Sequence, residues 1–235
     1  MKVLLLGGTA EARALADALE SNAELSLAGA TQKPLAVPHR IGGFGGLNGL
    51  TTYLRAKGYQ GVIDATHPFA TQMSQNASEA AASLGLPLLR LERPPWPSEV
   101  SWQNVVDIAS AAEAVPAGAR VFLSIGSQTL APFLHRSDIW CLTRSIEPPA
   151  QLPLHGKTLL QRPPFTLEQE VALIRHYNIS HLVSKNAGGA ATFAKVQAAK
   201  ALGVQMIMVK RPQLPAVLTV ETVPEAVKWV KNLGE

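Results

Sequence analysis

The sequence predicts an α/β protein made of two Rossmann-like domains with parallel sheets. Short apolar runs alternate with longer segments of helical periodicity along the 235 residues, which is the pattern of parallel strands joined by helices. The segment "RPPWP" at 93–97 separates two such sets, because proline interrupts helices and sheet ladders. The chain also contains an internal match, in which residues 63–94 align with residues 181–212 without a gap. We therefore expect two domains of similar architecture, covering 1–97 and 98–235.

In the first half, four apolar runs predict strands and three longer segments predict helices. The strands are "KVLLLG" at 2–7, "ELSLAGA" at 24–30, "GVIDA" at 61–65 and "LPLLRLE" at 86–92, and the helices cover about 9–20, 47–57 and 69–84.

The second half repeats this order and ends on an additional helix. The strands are "RVFLSIG" at 120–126, "DIWCLTRSI" at 138–146, "KTLLQ" at 157–161, "SHLVSK" at 180–185 and "VQMIMVK" at 204–210, and the helices lie near 127–134, 167–177, 189–202 and 223–233.

Composition and charge favour a globular protein with a small anionic ligand. Hydrophobic residues make up 47% of the chain, and the net charge of +4 comes without any block of lysine and arginine of the kind that binds nucleic acid. The single cysteine, Cys141, excludes an internal disulfide, and no Cys/His cluster has zinc spacing, so we expect a reducing compartment and no metal. The opening "MKVLLL" is too short for a secretory signal and no stretch is long enough to span a membrane, which predicts a cytoplasmic protein without a membrane partner.

The stretch "LLLGGTAEAR" predicts a phosphate-binding turn between the first strand and the first helix. Gly7 and Gly8 would let a phosphate approach the backbone, and the amides at the helix N-terminus attract anions. Thr9 could cap the helix or bind a phosphate oxygen, and an ordinary tight turn stays open as the alternative.

Two further loops of the first half suggest a dinucleotide. After the second strand, Thr31, Gln32 and Lys33 stand where an acid would hold a free ribose 2′-hydroxyl, which favours NADP over NAD. The loop "RIGGFGGLNGL", with Gly45 among its glycines, would form a mobile flap or a second surface of close approach, with flexibility alone as the alternative.

Side chains of several kinds follow the later strands, at the sheet edge where ligands of open parallel sheets bind. In "DATHPFA", Thr66 and His67 come directly after a strand, while we expect Asp64 to hold the turn and Pro68 to begin the helix. The internal match lays His67 on Lys185, which suggests that both face one cleft.

Polar groups of the second half, and arginines of both halves, are candidate ligands for carboxylates. Ser127 begins a predicted helix, Lys185 and Asn186 follow a strand, and Arg90, Arg93, Arg144 and Arg211 lie in or just after strand-like runs. Helix capping and ordinary salt bridges are the alternatives for each of them.

Together these segments resemble the precorrin-6A reductases, NADPH-dependent enzymes of cobalamin biosynthesis. The resemblance is carried by "LLLGGTAEAR", "RIGGFGG", "DATHPFA", "LRLERPPW", "FLSIG", "RSIEPP" and "SKNAGG" followed by "KRP", so it covers most of the chain. It implies a coenzyme-binding domain at 1–97, a tetrapyrrole-binding domain at 98–235, an active site in the cleft between them and, as an open point, an exchange of the last strands. The implied reaction transfers a hydride from NADPH to one double bond of precorrin-6A and gives precorrin-6B.

The resemblance also assigns roles to the candidate residues. Thr66 and His67 would be catalytic; the coenzyme would contact Gly7, Gly8, Thr9, Thr31, Lys33 and Gly45; the substrate would contact Arg90, Arg93, Ser127, Arg144, Lys185, Asn186 and Arg211. Two departures are Ala30, where relatives often carry arginine, and Pro163, where glycine is expected.

Three other functions stay open on the sequence alone. A cobalt-precorrin-6A reductase of the anaerobic branch would share most motifs, although "KNAGG" favours the metal-free branch. A nonenzymatic NADP-binding regulator would use the same first-half glycines. A short-chain reductase would use a Tyr-x-x-x-Lys pair for proton transfer. The resemblance leaves a transient contact with the next pathway enzyme as a further expectation.

Overall fold

Two six-stranded parallel sheets, each in its own unit of the chain, form the fold in the computed structural model, which describes residues 2–28, 37–146 and 148–233. Unit 1 consists of Met1–Pro94 together with Gln213–Glu235, and unit 2 of Pro95–Pro212. Helices flank both sheets, so the predicted α/β class with parallel sheets is confirmed.

In unit 1 the strands lie in the order β12-β5-β4-β1-β2-β3. Its elements are β1 Val3–Leu6, α1 Ala10–Leu19, β2 Ala23–Leu27, β3 His39–Ile41, α2 Gly46–Lys57, β4 Gly61–Asp64, α3 Thr71–Leu84, β5 Leu88–Leu91, β12 Leu218–Val220 and α7 Val223–Asn232. The strand order reverses between β1 and β4, which is where open α/β sheets bind ligands.

Unit 2 has the equivalent order β6-β11-β10-β7-β8-β9. Its elements are β6 Trp102–Val105, α4 Ile108–Ala114, β7 Arg120–Ser124, β8 Trp140–Ser145, β9 Gly156–Leu160, α5 Leu167–His176, β10 His181–Lys185, α6 Ala194–Ala201 and β11 Gln205–Val209. The helix expected near 127–134 is replaced by two 3₁₀ turns, Ser127–Thr129 and Ala131–Phe133, the second with a proline in its first turn.

The two sheets exchange their last strands. β6 follows β5 in the chain but pairs with β11 of unit 2, and β12 follows β11 but pairs with β5 of unit 1. The predicted exchange is thereby confirmed. The units differ from the expected boundaries of 1–97 and 98–235, because β12 completes the first sheet and Ala226 and Val230 of α7 pack into the core beside β1.

Apolar side chains bury the strands of unit 1 on both faces. One cluster includes Leu5, Leu15 and Val230, and another on separate residues includes Leu4 and Leu54. The central strands are therefore continuous apolar runs, as expected for parallel strands covered by helices. Asp64, which ends β4 and is only 2% exposed, is the exception.

The internal sequence match is out of register in one strand. It lays Arg90 on Met208 and Asp64 on Leu182. In the sheets, however, Asp64 pairs with Arg90 while Ser184 pairs with Met208. The structural counterpart of Asp64 is therefore Ser184, two residues further along the chain.

This shift changes the predicted counterpart of His67. Counted from the paired strand ends, Ala187 and not Lys185 corresponds to His67. The predicted equivalence of the two basic side chains is wrong, because an ungapped match cannot reveal strand–helix loops of unequal length.

Within the described ranges, no helix is long and apolar enough to cross a membrane.

Candidate functional site

A cavity of about 280 Å³ opens at the carboxyl edge of the first sheet, beside the point where the strand order reverses. It brings together residues that follow β1, β2, β3 and β4, as well as the start of α3. The lining consists of Leu6, Gly7, Gly8, Ser26, Ala28, Gly42, Gly43, Phe44, Thr66, His67, Ala70 and Met73. Of the predicted site residues, Gly7, Gly8, Thr66 and His67 are thus neighbours in space.

Glycines give this cavity walls of bare backbone. Gly8 has a φ of +137°, a conformation that L-residues with side chains rarely adopt, and a Cβ built on Gly8, Gly42 or Gly43 would meet nothing within 4 Å. Gly7 differs, because its Cβ would lie 2.5 Å from Leu25 Cδ1. Gly7 therefore serves packing against β2, while the other three leave room for a ligand near the backbone.

Thr9 is committed to structure. Its hydroxyl accepts the N–H of Ala12 at 3.1 Å as the N-cap of α1 and donates to the carbonyl oxygen of Ala65 at 2.9 Å. The only proton of the hydroxyl is thus donated to Ala65, in the loop after β4. To donate to a phosphate instead, Thr9 would have to break its hydrogen bond to Ala65.

Arg40 holds the glycine-rich loop that follows β3. Its Nη1 donates to Ser26 Oγ at 2.9 Å and to the carbonyl oxygen of Gly42 at 2.8 Å, and its Nη2 donates to that of Gly43 at 3.1 Å. The guanidinium also lies 4.0 Å from the ring centre of Phe44. Arg40 is not among the site residues predicted from the sequence, although it stands two residues before the first glycine of this loop.

Asp64 fixes the turn that carries the two residues predicted to be catalytic. Its Oδ1 accepts the N–H of Thr66 at 3.2 Å and the hydroxyl of Thr66 at 2.6 Å. Its Oδ2 faces Arg90 Nε at 3.5 Å, and Arg90 also donates to the carbonyl oxygen of Pro215 at 2.9 Å. The expected role of Asp64 in the turn is confirmed, and the hydroxyl proton of Thr66 is already donated.

His67 is oriented by its own backbone. The N–H of Phe69 donates to His67 Nδ1 at 3.2 Å, so the neutral ring carries its proton on Nε2. The ring is half-buried and lines the cavity.

Of the described residues predicted to contact the coenzyme, Thr9 and Gly45 are not in the lining. Thr31 and Lys33 lie outside the described residues. Gly45 is the exposed N-cap of α2, with a φ of 81°, and stands two residues beyond Gly43.

In unit 2, the segment after β10 anchors the linker before β6. The side-chain oxygen of Asn186 accepts the N–H of Trp96 at 2.8 Å, and its amide nitrogen donates to the carbonyl oxygen of Trp96 at 3.0 Å. Arg211 donates to the carbonyl oxygens of Asn186 and Ala187 at 3.0 and 3.1 Å. These contacts give Asn186 and Arg211 structural partners inside their own unit.

Lys185 ends β10 beside this segment. Its side chain is half-buried, and the loss of hydration lowers its pKa. An anionic group brought close to Lys185 would favour the charged form.

The remaining predicted arginines already have acidic partners. Arg93 lies 2.7 Å from Glu11, and both side chains are partly exposed. Arg144 lies 2.7 Å from Glu170, and the two side chains are only 7% and 1% exposed. Arg90 is buried as well. Because Arg90 and Arg144 are both buried beside acidic partners, neither is well placed to bind the substrate directly.

Ser127 begins the 3₁₀ turn after β7 and follows Gly126, which has a φ of 84°. Its side chain is half-buried at the carboxyl edge of the second sheet. This position corresponds to that of Thr9 after β1.

Fold and site together define a protein with two Rossmann-like units, the first of which has a glycine-walled ligand cavity at the switch point of its sheet. The model of the precorrin-6x reductase CbiJ/CobK family matches residues 2–231. The chain belongs to this family.

Relatives and a solved structure agree with that membership. The chain is 46% identical to the precorrin-6A reductase of Rhodococcus erythropolis, over 99% of this chain and 98% of the relative, and 45% identical to that of Mycobacterium tuberculosis H37Rv, over 99% and 98%. The cobalt-precorrin-6A reductase of Priestia megaterium is 30% identical over 98% of both chains. The solved structure of CobK precorrin-6A reductase superimposes with a TM-score of 0.92 at 43% identity, covering 100% of this chain and 98% of that one.

Proposed function

We propose that this chain reduces one double bond of the precorrin-6A macrocycle with a hydride from NADPH and yields precorrin-6B. Its family makes it an oxidoreductase of cobalamin biosynthesis that acts on precorrin-6A, a tetrapyrrole. The observation that carries the coenzyme assignment is the cavity at the switch point, where Gly8, Gly42 and Gly43 leave the backbone open to a ligand.

The residues of this cavity fit a nucleotide. It is near the lower end of the range of roughly 300–1,000 Å³ typical of small-molecule sites, so it has room for part of a dinucleotide. When bound, NADPH supplies the hydride. Gly8 would hold a phosphate group through its backbone, whereas the N–H of Gly7 already donates to the carbonyl oxygen of Ser26 at 2.9 Å. Thr9 keeps the turn in shape through its bonds to Ala12 and Ala65.

His67 and Thr66 would meet the substrate at the cavity rim. With Nδ1 occupied by Phe69, the Nε2–H of His67 is a hydrogen-bond donor for a carboxylate of the macrocycle. Thr66 donates its proton to Asp64 and so positions the turn that carries His67. A bound water is therefore a better candidate for the proton donor than either side chain.

Among the predicted substrate ligands, Lys185 and Ser127 fit best. Both are half-buried at the carboxyl edge of the second sheet, where Lys185 ends β10 and Ser127 follows β7. Arg93 is partly exposed and could exchange Glu11 for a substrate carboxylate. Lys185→Ala should therefore weaken tetrapyrrole binding and leave NADPH binding nearly unchanged.

The precorrin-6A reductases among the relatives favour the metal-free substrate. They share 39–46% of residues with this chain, whereas cobalt-precorrin-6A reductases share 28–33%. We also expect the enzyme to act in the cytoplasm, since its one cysteine suits a reducing compartment. The contact with the next pathway enzyme stays a prediction.

An anaerobic assay of the purified chain tests this function. We expect oxidation of NADPH only when precorrin-6A is added, with slower oxidation of NADH and slower turnover of cobalt-precorrin-6A. Nucleotide binding without turnover of either tetrapyrrole would favour a nonenzymatic regulator. Faster turnover of the cobalt substrate would assign the chain to the anaerobic branch.

A further inference from the structure

We propose that Arg40 binds the 2′-phosphate of the coenzyme and so sets a preference for NADPH over NADH. This inference rests on the coenzyme role proposed for the cavity of unit 1. Arg40 belongs to β3 and is the partner of Ser26 of β2 in the sheet register, so it stands beside the end of β2. In Rossmann-like sheets the end of the second strand is where the adenosine ribose is recognised.

The guanidinium of Arg40 lies at the border of the cavity. It donates hydrogen bonds to Ser26, Gly42 and Gly43 and packs against the ring of Phe44. All four partners line the cavity. No lysine or arginine is among the described residues of that lining, so Arg40 brings positive charge to a border that otherwise lacks it.

Two donor groups of Arg40 remain for a ligand. A guanidinium has five N–H groups, and three of those of Arg40 donate to the partners just named. The Nε–H and one Nη2–H have no acceptor among the residues that the structure describes. A pair of N–H groups on one guanidinium suits a phosphate, which accepts two parallel hydrogen bonds.

The side chain of Arg40 is also held in place before a ligand arrives. Besides its three hydrogen bonds, it lies 4.0 Å from the ring centre of Phe44 and 5.1 Å from that of Tyr53. A preorganised arginine loses little conformational entropy on binding, so its charge-assisted bonds contribute more fully to affinity.

Titration calorimetry of the full chain with 2′,5′-ADP and 5′-AMP tests the proposal, because these ligands differ only by the 2′-phosphate. We expect wild type to bind 2′,5′-ADP about 30-fold more tightly than 5′-AMP. Arg40→Gln should lose at least about tenfold of its affinity for 2′,5′-ADP and keep that for 5′-AMP within about twofold. Arg55→Gln, at an exposed position of α2, is the control for loss of one positive charge and should behave as wild type.

Equal loss of both nucleotides in Arg40→Gln would show that Arg40 only supports the glycine-rich loop, and would overturn the proposal. The proposal would also be overturned if Arg40→Gln kept the preference for 2′,5′-ADP over 5′-AMP while Lys33→Gln lost it. If Arg40→Gln does not fold, Arg40→Lys replaces it in the test, because lysine keeps the charge without the paired donors. An Arg40→Lys variant that prefers 2′,5′-ADP over 5′-AMP as strongly as wild type would also overturn the proposal. A wild-type chain that binds neither nucleotide would instead refute the coenzyme role on which the inference rests.

Discussion

The backbone N–H of Phe69 donates a hydrogen bond to Nδ1 of His67, with 3.2 Å between the two nitrogens. A ring nitrogen that accepts such a bond carries no proton, so protonation of Nδ1 would break the contact. The neutral ring can still donate its Nε2–H to an acceptor. The geometry therefore favours a His67 that holds a carboxylate of precorrin-6A over one that gives a proton to the macrocycle.

His67→Asn tests this assignment. The side-chain oxygen of asparagine can accept the N–H of Phe69 in the same kind of turn, so the loop should keep its shape. We expect KM for precorrin-6A to rise about tenfold and kcat to change less than about threefold in steady-state kinetics. His135→Asn, at an exposed position of unit 2, is the matched control. Unchanged substrate binding with a collapsed kcat and a lost limb in the pH profile would instead identify His67 as the proton donor.

Removal of the Thr9 hydroxyl should destabilise unit 1 without changing the cavity lining. Thr9→Val loses both the cap of α1 and the bond to Ala65, and we expect the free energy of unfolding to fall by about 1–2 kcal/mol. Urea unfolding followed by far-UV circular dichroism measures this change. Thr9→Ser keeps the hydroxyl and should lie within about 0.5 kcal/mol of wild type. A stable Thr9→Val variant with weakened NADPH binding would mean that the hydroxyl contacts the coenzyme.

Much of the fold could be predicted because the buried strands are apolar runs. β1 and β4 are buried along their whole length, and the sequence shows this directly. The missed strands β3, β6 and β12 are short and lie at the edges of their sheets, where exposed residues such as Gln103 and Asn104 remove the apolar signal. The path of β12 back to the first sheet has no local signal, because only its pairing with β5 defines it.

The site was predictable where the chain itself brings residues to a strand end. Gly8 and His67 follow β1 and β4, and adjacent parallel strands end at the same edge, so both reach one cavity. Partners distant in sequence were not predictable: Arg144 reads as a free cation until Glu170, on another element, is seen to pair with it. Arg40 was missed for a related reason, since its contacts arise from the folding of the loop after β3.

Glu24 should make stability depend on acid pH. Burial alone would raise its pKa, but hydrogen bonds from Lys2 and Tyr53 outweigh this and lower the pKa from 4.5 to about 2. The folded state then binds fewer protons than the unfolded state, so the stabilisation is complete above about pH 4.5 and is lost as the pH falls towards 2. Unfolding free energies measured across this window should fall by at most about 3 kcal/mol on account of Glu24. Glu24→Gln should flatten the curve, and the exposed Glu79→Gln should not; equal slopes in both variants would contradict the assignment.

Lys195 should make the stability of unit 2 depend on alkaline pH. Its side chain is 4% exposed, and burial, together with the charge of Arg144, lowers its pKa from 10.5 to about 7, against the opposing effect of Glu170. Between pH 7 and 10.5 the unfolded chain therefore binds more protons than the folded chain, and stability rises with pH over that range.

Lys195→Met tests the assignment, because methionine keeps much of the side-chain volume without a charge. We expect the variant to be more stable than wild type at pH 7 by at least about 1 kcal/mol, and to show no rise of stability towards alkaline pH. Tryptophan fluorescence during urea unfolding is a suitable measurement, since Trp96, Trp102 and Trp140 all belong to unit 2. Lys200→Met on the same helix, where the lysine is exposed and pairs with Glu99, should keep the wild-type pH dependence. A Lys195→Met variant with an unchanged slope would show that another group is responsible for the titration.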